Sequence, residues 1–88
     1  MRLTFNNDKD FIEKLTGIVL ANIDNENFGV DELIKSTGLS HATVLHKIKS
    51  ISQKTISQFI CEIRLHKAFE LLQNGRVTSA EVAYKVGF

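Results

Sequence analysis

A ten-residue pattern occurs twice in this chain. The first copy, VDELIKSTGL, covers residues 30–39, and the second, SAEVAYKVGF, covers residues 79–88. Each copy has glutamate at its third position and ends in a glycine followed by an apolar residue. A short helix that ends at glycine is typical of the first half of a helix-turn-helix. The repeat therefore predicts one complete helix-turn-helix and the opening half of a second.

Apolar residues recur every three to four positions along most of the chain, which predicts an all-α fold. In the first predicted helix they run from Phe11 to Ile23 along one face. Ser40 is a good N-cap for the third helix, which turns Val44 and Ile48 inward. We expect a first unit at residues 8–53 with a helix at about 41–51, a connecting helix at 55–74, and a further helix with its turn at 78–88.

The connecting helix is predicted to have two apolar sides. Thr55 opens it with a capping box, and Thr78 opens the last helix in the same way, because each is followed three residues later by glutamine or glutamate. A helix with two apolar faces normally sits between two packed bodies. The stripes comprise Ile56, Phe59, Ile60 and Ile63 on one side and Cys61, Leu65, Ala68, Phe69 and Leu72 on the other.

The second of these stripes is the one that a second unit would cover. In this chain Val82, Ala83 and Val86 remain to cover it, and Phe88 has no helix after it to pack against. Uncovered apolar area favours association or fraying. We therefore expect residues 76–88 to be either mobile or buried against another copy of the chain.

Charge is unevenly distributed although the formal net charge is only +1. Residues 1–32 contain three basic and seven acidic side chains, a balance of −4, whereas residues 41–67 contain five basic side chains and one glutamate, a balance of +4. Such a chain can present a basic face to phosphate groups while its acidic end points away. The alternative is that these lysines only solvate helix surfaces.

Length and composition favour one small domain in a reducing compartment. The 88 residues are 43% hydrophobic, which is enough for one compact core. The longest apolar run, residues 18–21, is far shorter than the ~18 residues that a membrane span needs, so we expect no membrane contact and a cytoplasmic location. Cys61 cannot form an internal disulfide and is expected to be a packed structural thiol.

These features together resemble the AraC/XylS-type DNA-binding domain of bacterial transcription regulators. The resemblance extends from about Phe11 to Phe88, and its most specific part is the string AYKVGF at the carboxyl end. Residues 45–49 and their spacing to Phe59 are similar to variants fused to hybrid two-component sensor-regulators. The residues that carry the AraC/XylS-type resemblance are Leu33, Gly38, Leu39, Ser40, Val44, Ile48, Lys49, Phe59, Ile60, Ile63, Arg64, Leu65, Ala68, Leu71, Leu72, Gly75 and the string from Ser79 to Phe88.

The resemblance implies a homeodomain-like helix-turn-helix bundle in which a long linker helix joins two units. The family continues into a second recognition helix, so this chain is expected to be truncated within its second helix-turn-helix. Three positions depart from the family, and the first is Ile34, which replaces the small residue that is usual in the second helix. Gln53 stands where glycine is usual, and Ile56 stands where proline is common at the first position of the long helix.

The resemblance also implies that the helix beginning at His41 enters the DNA major groove. The expected base contacts are Ala42, Leu45 and His46, which share a helical face opposite the inward Val44 and Ile48. The expected phosphate contacts, which include the amino ends of two helices, are Ser40, His41, Thr43, Lys47, Lys49, Thr55 and Ser57.

The predicted function is sequence-specific binding of double-stranded DNA for transcription regulation in the bacterial nucleoid. In a full-length protein, RNA polymerase and a regulatory or sensor domain are the further expected partners. The alternative is a truncated interaction module that self-associates or binds a protein through its exposed apolar stripe. Catalysis, a metal and a cofactor are not expected, because a phosphate loop and a nucleophile elbow are missing from the sequence and His41 and His46 lack zinc-pair spacing.

Overall fold

The computed structural model describes residues 5–75 and 79–87, and its regular elements are all α-helices. This confirms the all-α prediction. None of the described helices is long and apolar enough to cross a membrane. The predicted capping box at Thr78 lies outside the described residues. The helices are α1 (Asp8–Ala21), α2 (Val30–Thr37), α3 (His41–Ser52), α4 (Ile56–Gln73) and α5 (Ser79–Lys85).

Side-chain caps start α3 and α4 where the sequence predicts them. The Ser40 hydroxyl accepts a hydrogen bond of 3.2 Å from the Thr43 amide at the start of α3. At the start of α4 the Gln58 amide donates to the Thr55 hydroxyl over 3.1 Å, and the Thr55 amide donates to Gln58 Oε1 over 2.9 Å. Each bond satisfies an N–H group that the helix itself cannot pair. The N-cap at Ser40 and the capping box at Thr55 are confirmed.

Left-handed residues form the C-caps of α2 and α3. Gly38 closes α2 with φ of 71°, and Gln53 closes α3 with φ of 59°. Gln53 is the one described residue other than glycine with a positive φ. Helix α1 ends two residues before the predicted Ile23, because the Asn22 side chain donates to the Ile18 carbonyl over 2.8 Å and caps the last turn.

The core lies among α1, α2, α3 and the amino-terminal half of α4. Removing each large side chain from water contributes roughly 1.5–3 kcal/mol. The buried hydroxyl of Thr37 is satisfied, since it donates to the Ile34 carbonyl and accepts from the Leu39 amide. The first predicted stripe of α4 joins this core, with Ile63 partly buried at its edge. The buried residues are Phe11, Leu15, Val19, Phe28, Leu33, Val44, Ile48, Ile56, Phe59 and Ile60.

The second predicted stripe of α4 faces solvent except at Ala68, which is half-buried. Leu65 is 55% exposed, Phe69 is 61% exposed and Leu72 is 46% exposed. Cys61 is exposed as well, so the prediction of a packed thiol is wrong. Ile60 points into the core, and the next residue along a helix is rotated by about 100°, which carries the thiol away from it.

Helix α5 packs against α4 within the same chain. Val82 and Val86 are buried, and Gly87 is buried at the turn that follows. The sequence predicts that residues 76–88 are mobile or buried against another copy of the chain. Val82, Val86 and Gly87 are instead buried by neighbouring residues of the same chain. Residues 76–78 and Phe88 lie outside the described residues.

Candidate nucleic-acid interface

Helix α3 turns one side to the core and the other to solvent. Val44 and Ile48 are fully buried, whereas Ala42, His46 and Lys49 are exposed. The exposed three are separated by four and three residues, so they lie on one helical face. Two predicted base-contact residues, Ala42 and His46, therefore lie side by side on an accessible surface.

Leu45 lies at the edge of this exposed face. It is half-buried and packs against the core cluster, so the expectation that it shares a face with Ala42 and His46 holds only in part. It directly follows the fully buried Val44, and a rotation of about 100° leaves its side chain on the border between core and solvent. Part of the Leu45 side chain remains accessible for an apolar contact.

The amino end of α3 carries a group of exposed polar side chains. The hydroxyl oxygens of Ser40 and Thr43 lie 2.8 Å apart and share a hydrogen bond, and His41 is exposed beside them. The first N–H groups of a helix and its dipole attract anions. The three predicted phosphate contacts here are thus brought together at a position suited to a phosphate.

The two lysines of α3 point in different directions. Lys49 shares the outward face with His46, whereas Lys47 reaches back toward α1 and holds its Nζ 5.3 Å from the centre of the Phe11 ring. Such a cation–π contact contributes roughly 0.5–1 kcal/mol at an exposed site and restrains the side chain. Lys49 therefore belongs to the face of Ala42 and His46, and Lys47 lies on its flank.

The predicted phosphate contacts at the start of α4 are exposed but differ in their surroundings. The Thr55 hydroxyl is engaged as the helix cap. Ser57 borders a cleft of about 280 Å³ that is lined, among the described residues, by α4, the start of α2 and the loop before it, with Gly29 and Val30 opposite. Ser57 is thus not grouped with the hydroxyls at the amino end of α3.

The basic segment at residues 41–67 is less available than its charge suggests. Lys54 pairs with Glu62, and Lys67 lies 3.5 Å from Glu70. Arg64, one of the five basic side chains in this charge balance, is buried and does not contribute to an accessible basic face. The accessible positive charge of this segment is therefore concentrated on α3, with His41 and His46 beside the lysines.

The surroundings of two residues were not anticipated from the sequence. Ser50 is exposed one turn after His46 and extends the outward face of α3. Arg64 follows Ile56 and Ile60 at intervals of four residues on the inner side of α4. That spacing is a signal for burial that its charge obscured, because an arginine is rarely buried unless its donors are paired.

Comparisons with known proteins find a similar sequence within a much longer protein. No family model matches the chain. No solved structure matches it either. A protein named Histidine kinase P4 from Formosa agariphila is 36% identical over 81 residues, which are 92% of this chain and 6% of that protein. The chain therefore spans about 6% of the length of this relative, and the similarity concerns that short part of it alone.

Proposed function

We propose that this chain is a DNA-binding module of a bacterial transcription regulator, of the AraC/XylS helix-turn-helix type, with α3 as its recognition helix. The observation that carries the proposal is the joint between α2 and α3. Helix α2 ends at the left-handed Gly38, and α3 begins three residues later with a hydroxyl cap and an accessible outer face. A short first helix, a tight glycine turn and an exposed second helix are the parts of a helix-turn-helix.

The chemistry of the α3 outer face supports modest base recognition. His46 can hydrogen-bond guanine N7 or O6, and Ala42 with the accessible part of Leu45 can contact thymine methyl groups. Lys49 on the same face reaches either a phosphate or a guanine. Phosphate contacts from Ser40, His41 and Thr43 would orient the helix without reading sequence.

The fold class beyond all-α belongs to the same proposal. Helices α1 to α3 form a homeodomain-like unit, α4 is the linker helix, and α5 with the turn at Gly87 corresponds to the start of a second helix-turn-helix. The repeat of residues 30–39 at 79–88 supports this correspondence, since both copies place a glycine with positive φ at the same point, Gly38 and Gly87.

The proposed context is a longer regulatory protein in the bacterial nucleoid. The relative is named a histidine kinase and is far longer than this chain. This supports a sensor domain as a partner of the module in a full-length protein, and transcription regulation adds RNA polymerase as a second partner. The module itself is proposed to bind rather than to catalyse, without metal or cofactor.

A titration of DNA affinity against salt concentration tests the proposal. The logarithm of the binding constant falls with the logarithm of salt concentration by about 0.9 for each phosphate neutralised. We expect affinity in the range of ~10⁻⁴–10⁻⁶ M for one recognition helix at physiological salt. Lys49→Gln should remove one phosphate contact and so make this slope shallower by about 0.9.

The matched control is Lys9→Gln, which removes a lysine paired with Glu13 on α1, in the acidic part of the chain. This variant should leave the salt slope unchanged. Equal slopes for the parent chain and both variants would contradict a phosphate-binding role for α3. A parent chain that does not bind DNA even at low salt would reject the proposal itself.

A second candidate function is association with a protein through α4. It is favoured by the exposure of Leu65, Phe69 and Leu72 along one side of that helix. Apolar association strengthens with kosmotropic salt, whereas phosphate-driven binding weakens with salt. Sedimentation of the parent chain and of Phe69→Ser in ammonium sulfate separates the two functions, because only apolar association would be lost in the variant.

A further inference from the structure

The guanidinium of Arg64 contacts two segments that are distant in sequence from it and from each other. Arg64 is only 8% exposed. Its Nη2 donates to the carbonyls of Asn25 and Phe28 over 3.0 and 2.8 Å, and its Nη1 donates to the carbonyl of Gly87 over 3.1 Å. One side chain of α4 thus links the connection between α1 and α2 to the turn after α5.

The backbone at Gly87 is packed too closely for a side chain. Gly87 has φ of 78°, and a Cβ atom there would lie 2.7 Å from the Ile23 carbonyl oxygen and 3.3 Å from Arg64 Cζ. The two segments that Arg64 joins therefore also touch each other directly. Val82 and Val86 bury the inner side of α5 next to this contact.

The geometry requires arginine in particular. Carbonyls in two segments are reached by the planar fork of one guanidinium, whereas the single ammonium of lysine cannot present donors in those fixed directions. The Nε of Arg64 has no hydrogen-bond partner among the described residues. A buried cation that is not fully satisfied contributes little net stability. Its hydrogen bonds select a geometry more than they add to the free energy of unfolding.

We propose that Arg64 is a positioning residue that fixes the orientation of α5 relative to α1–α3. The link holds the turn after α5 against the connection between α1 and α2, and α2 leads directly into α3. In a protein with two DNA-reading units this orientation would set the spacing of the half-sites it accepts, a consequence that rests on the proposed function. The orientation itself does not depend on DNA.

Distance measurement between spin labels tests the proposal on the whole chain without DNA. Labels at the exposed positions Ser50 on α3 and Lys85 on α5, in a Cys61→Ser background, report the orientation of α5. The parent should give one narrow distance distribution. Arg64→Met fills a similar volume without donors and should broaden the distribution about twofold or shift its centre, because the turn after α5 loses its hydrogen bond to α4.

Further variants separate positioning from loss of folding. Labels at Lys35 and Ser50 report the first unit, and their distance should stay narrow in Arg64→Met. If both distance distributions broaden in Arg64→Met, the variant Arg64→Lys separates the two explanations. It keeps the positive charge but loses the planar guanidinium, so it should broaden only the distribution for the pair that includes Lys85. The control Lys67→Met, one turn further along α4, should change neither pair.

An unchanged distribution for Ser50 and Lys85 in folded Arg64→Met would overturn the proposal. Broadening of that pair in Lys67→Met to the same extent would also overturn it, because the effect would then belong to α4 in general. A failure of DNA binding would reject the proposed function and leave these distances untouched. The two proposals therefore fail by different measurements.

Discussion

In helices α1 to α3 the large apolar side chains face inward apart from Leu20, whereas the carboxyl-terminal half of α4 turns three of them to solvent. Phe11, Leu33 and Ile48 are fully buried, and Leu65 and Phe69 are more than half exposed. The first region is surrounded by neighbouring helices on its apolar side. In the described chain, the second region has α5 on one side of α4 and solvent on the other.

The difference shows that apolar spacing and burial are separate properties. Both stripes of α4 have the same helical periodicity, but only the stripe that faces α1, α2 and α3 is covered. Burial of α5 instead depends on a few specific contacts, of Val82, Val86, Gly87 and Arg64. The first region is stabilised by the large apolar area that it buries, whereas α5 is held in place by contacts between particular atoms.

The largest effect is expected for a matched pair of leucines. Leu33→Ala removes a fully buried side chain from the first region and should lower the free energy of unfolding by about 2–5 kcal/mol, because it leaves a cavity. Leu65→Ala removes an exposed side chain and should cost about 0.5 kcal/mol or less. Urea denaturation measures both, and equal losses would remove the contrast between the two regions.

A pair of glycines tests whether the close contact at Gly87 holds α5 in place. Gly87→Ala places a methyl group against the Ile23 carbonyl in a left-handed residue and should cost about 2–3 kcal/mol. Gly75 also has a positive φ, of 65°, but has open space around it. Gly75→Ala should therefore lower the free energy of unfolding by only about 1 kcal/mol, from the backbone conformation alone. Thermal and urea unfolding would show the difference, and comparable losses would mean that the contact at Gly87 is unimportant.

A gain in stability is expected where the first region ends. Gln53 has φ of 59°, a backbone conformation that is strained for residues with a Cβ atom but not for glycine. Gln53→Gly should therefore raise the free energy of unfolding by about 0.5–1 kcal/mol. Asn74→Gly at the end of α4 is the control, since Asn74 is right-handed with φ of −70° and should gain nothing. A gain of similar size in both variants would point to a general effect of glycine.

The smallest effect concerns pH at the amino end of α1. The Asp10 carboxylate accepts a hydrogen bond from the Asn6 amide and lies beside the Lys14 ammonium, and both lower the pKa of Asp10 below its ordinary value. The ionised Asp10 carboxylate stabilises the fold. Its contribution to the free energy of unfolding is complete above the ordinary pKa and is lost as pH falls through the lowered pKa.

Asp10→Asn should therefore make the free energy of unfolding less dependent on pH below about pH 4. Parent and variant should run parallel between about pH 6 and 8, where carboxylates stay ionised. Urea denaturation over this pH series checks the prediction. An unaltered acid dependence in the variant would show that other carboxylates account for it.

Helix positions were predictable because their signals are local. The caps at Ser40 and Thr55 and the glycine end of α2 each depend on a few neighbouring residues, and the structure has them as predicted. The face of α3 followed from the same periodicity, apart from Leu45 at its border. Neither the exposure of Cys61 nor the direction of Lys47 could be deduced locally, since both depend on which helix lies opposite.

The sequence by itself determined that this chain is helical, where its helices begin, and which side of α3 faces solvent. These follow from caps, glycines and apolar spacing, which act within a few residues. Only the tertiary structure decided that Arg64 is buried rather than available to phosphates, because its acceptors lie at Asn25, Phe28 and Gly87, between 23 and 39 residues away. Carbonyl groups are present in every residue, so no pattern of residue types can show which of them a guanidinium will reach.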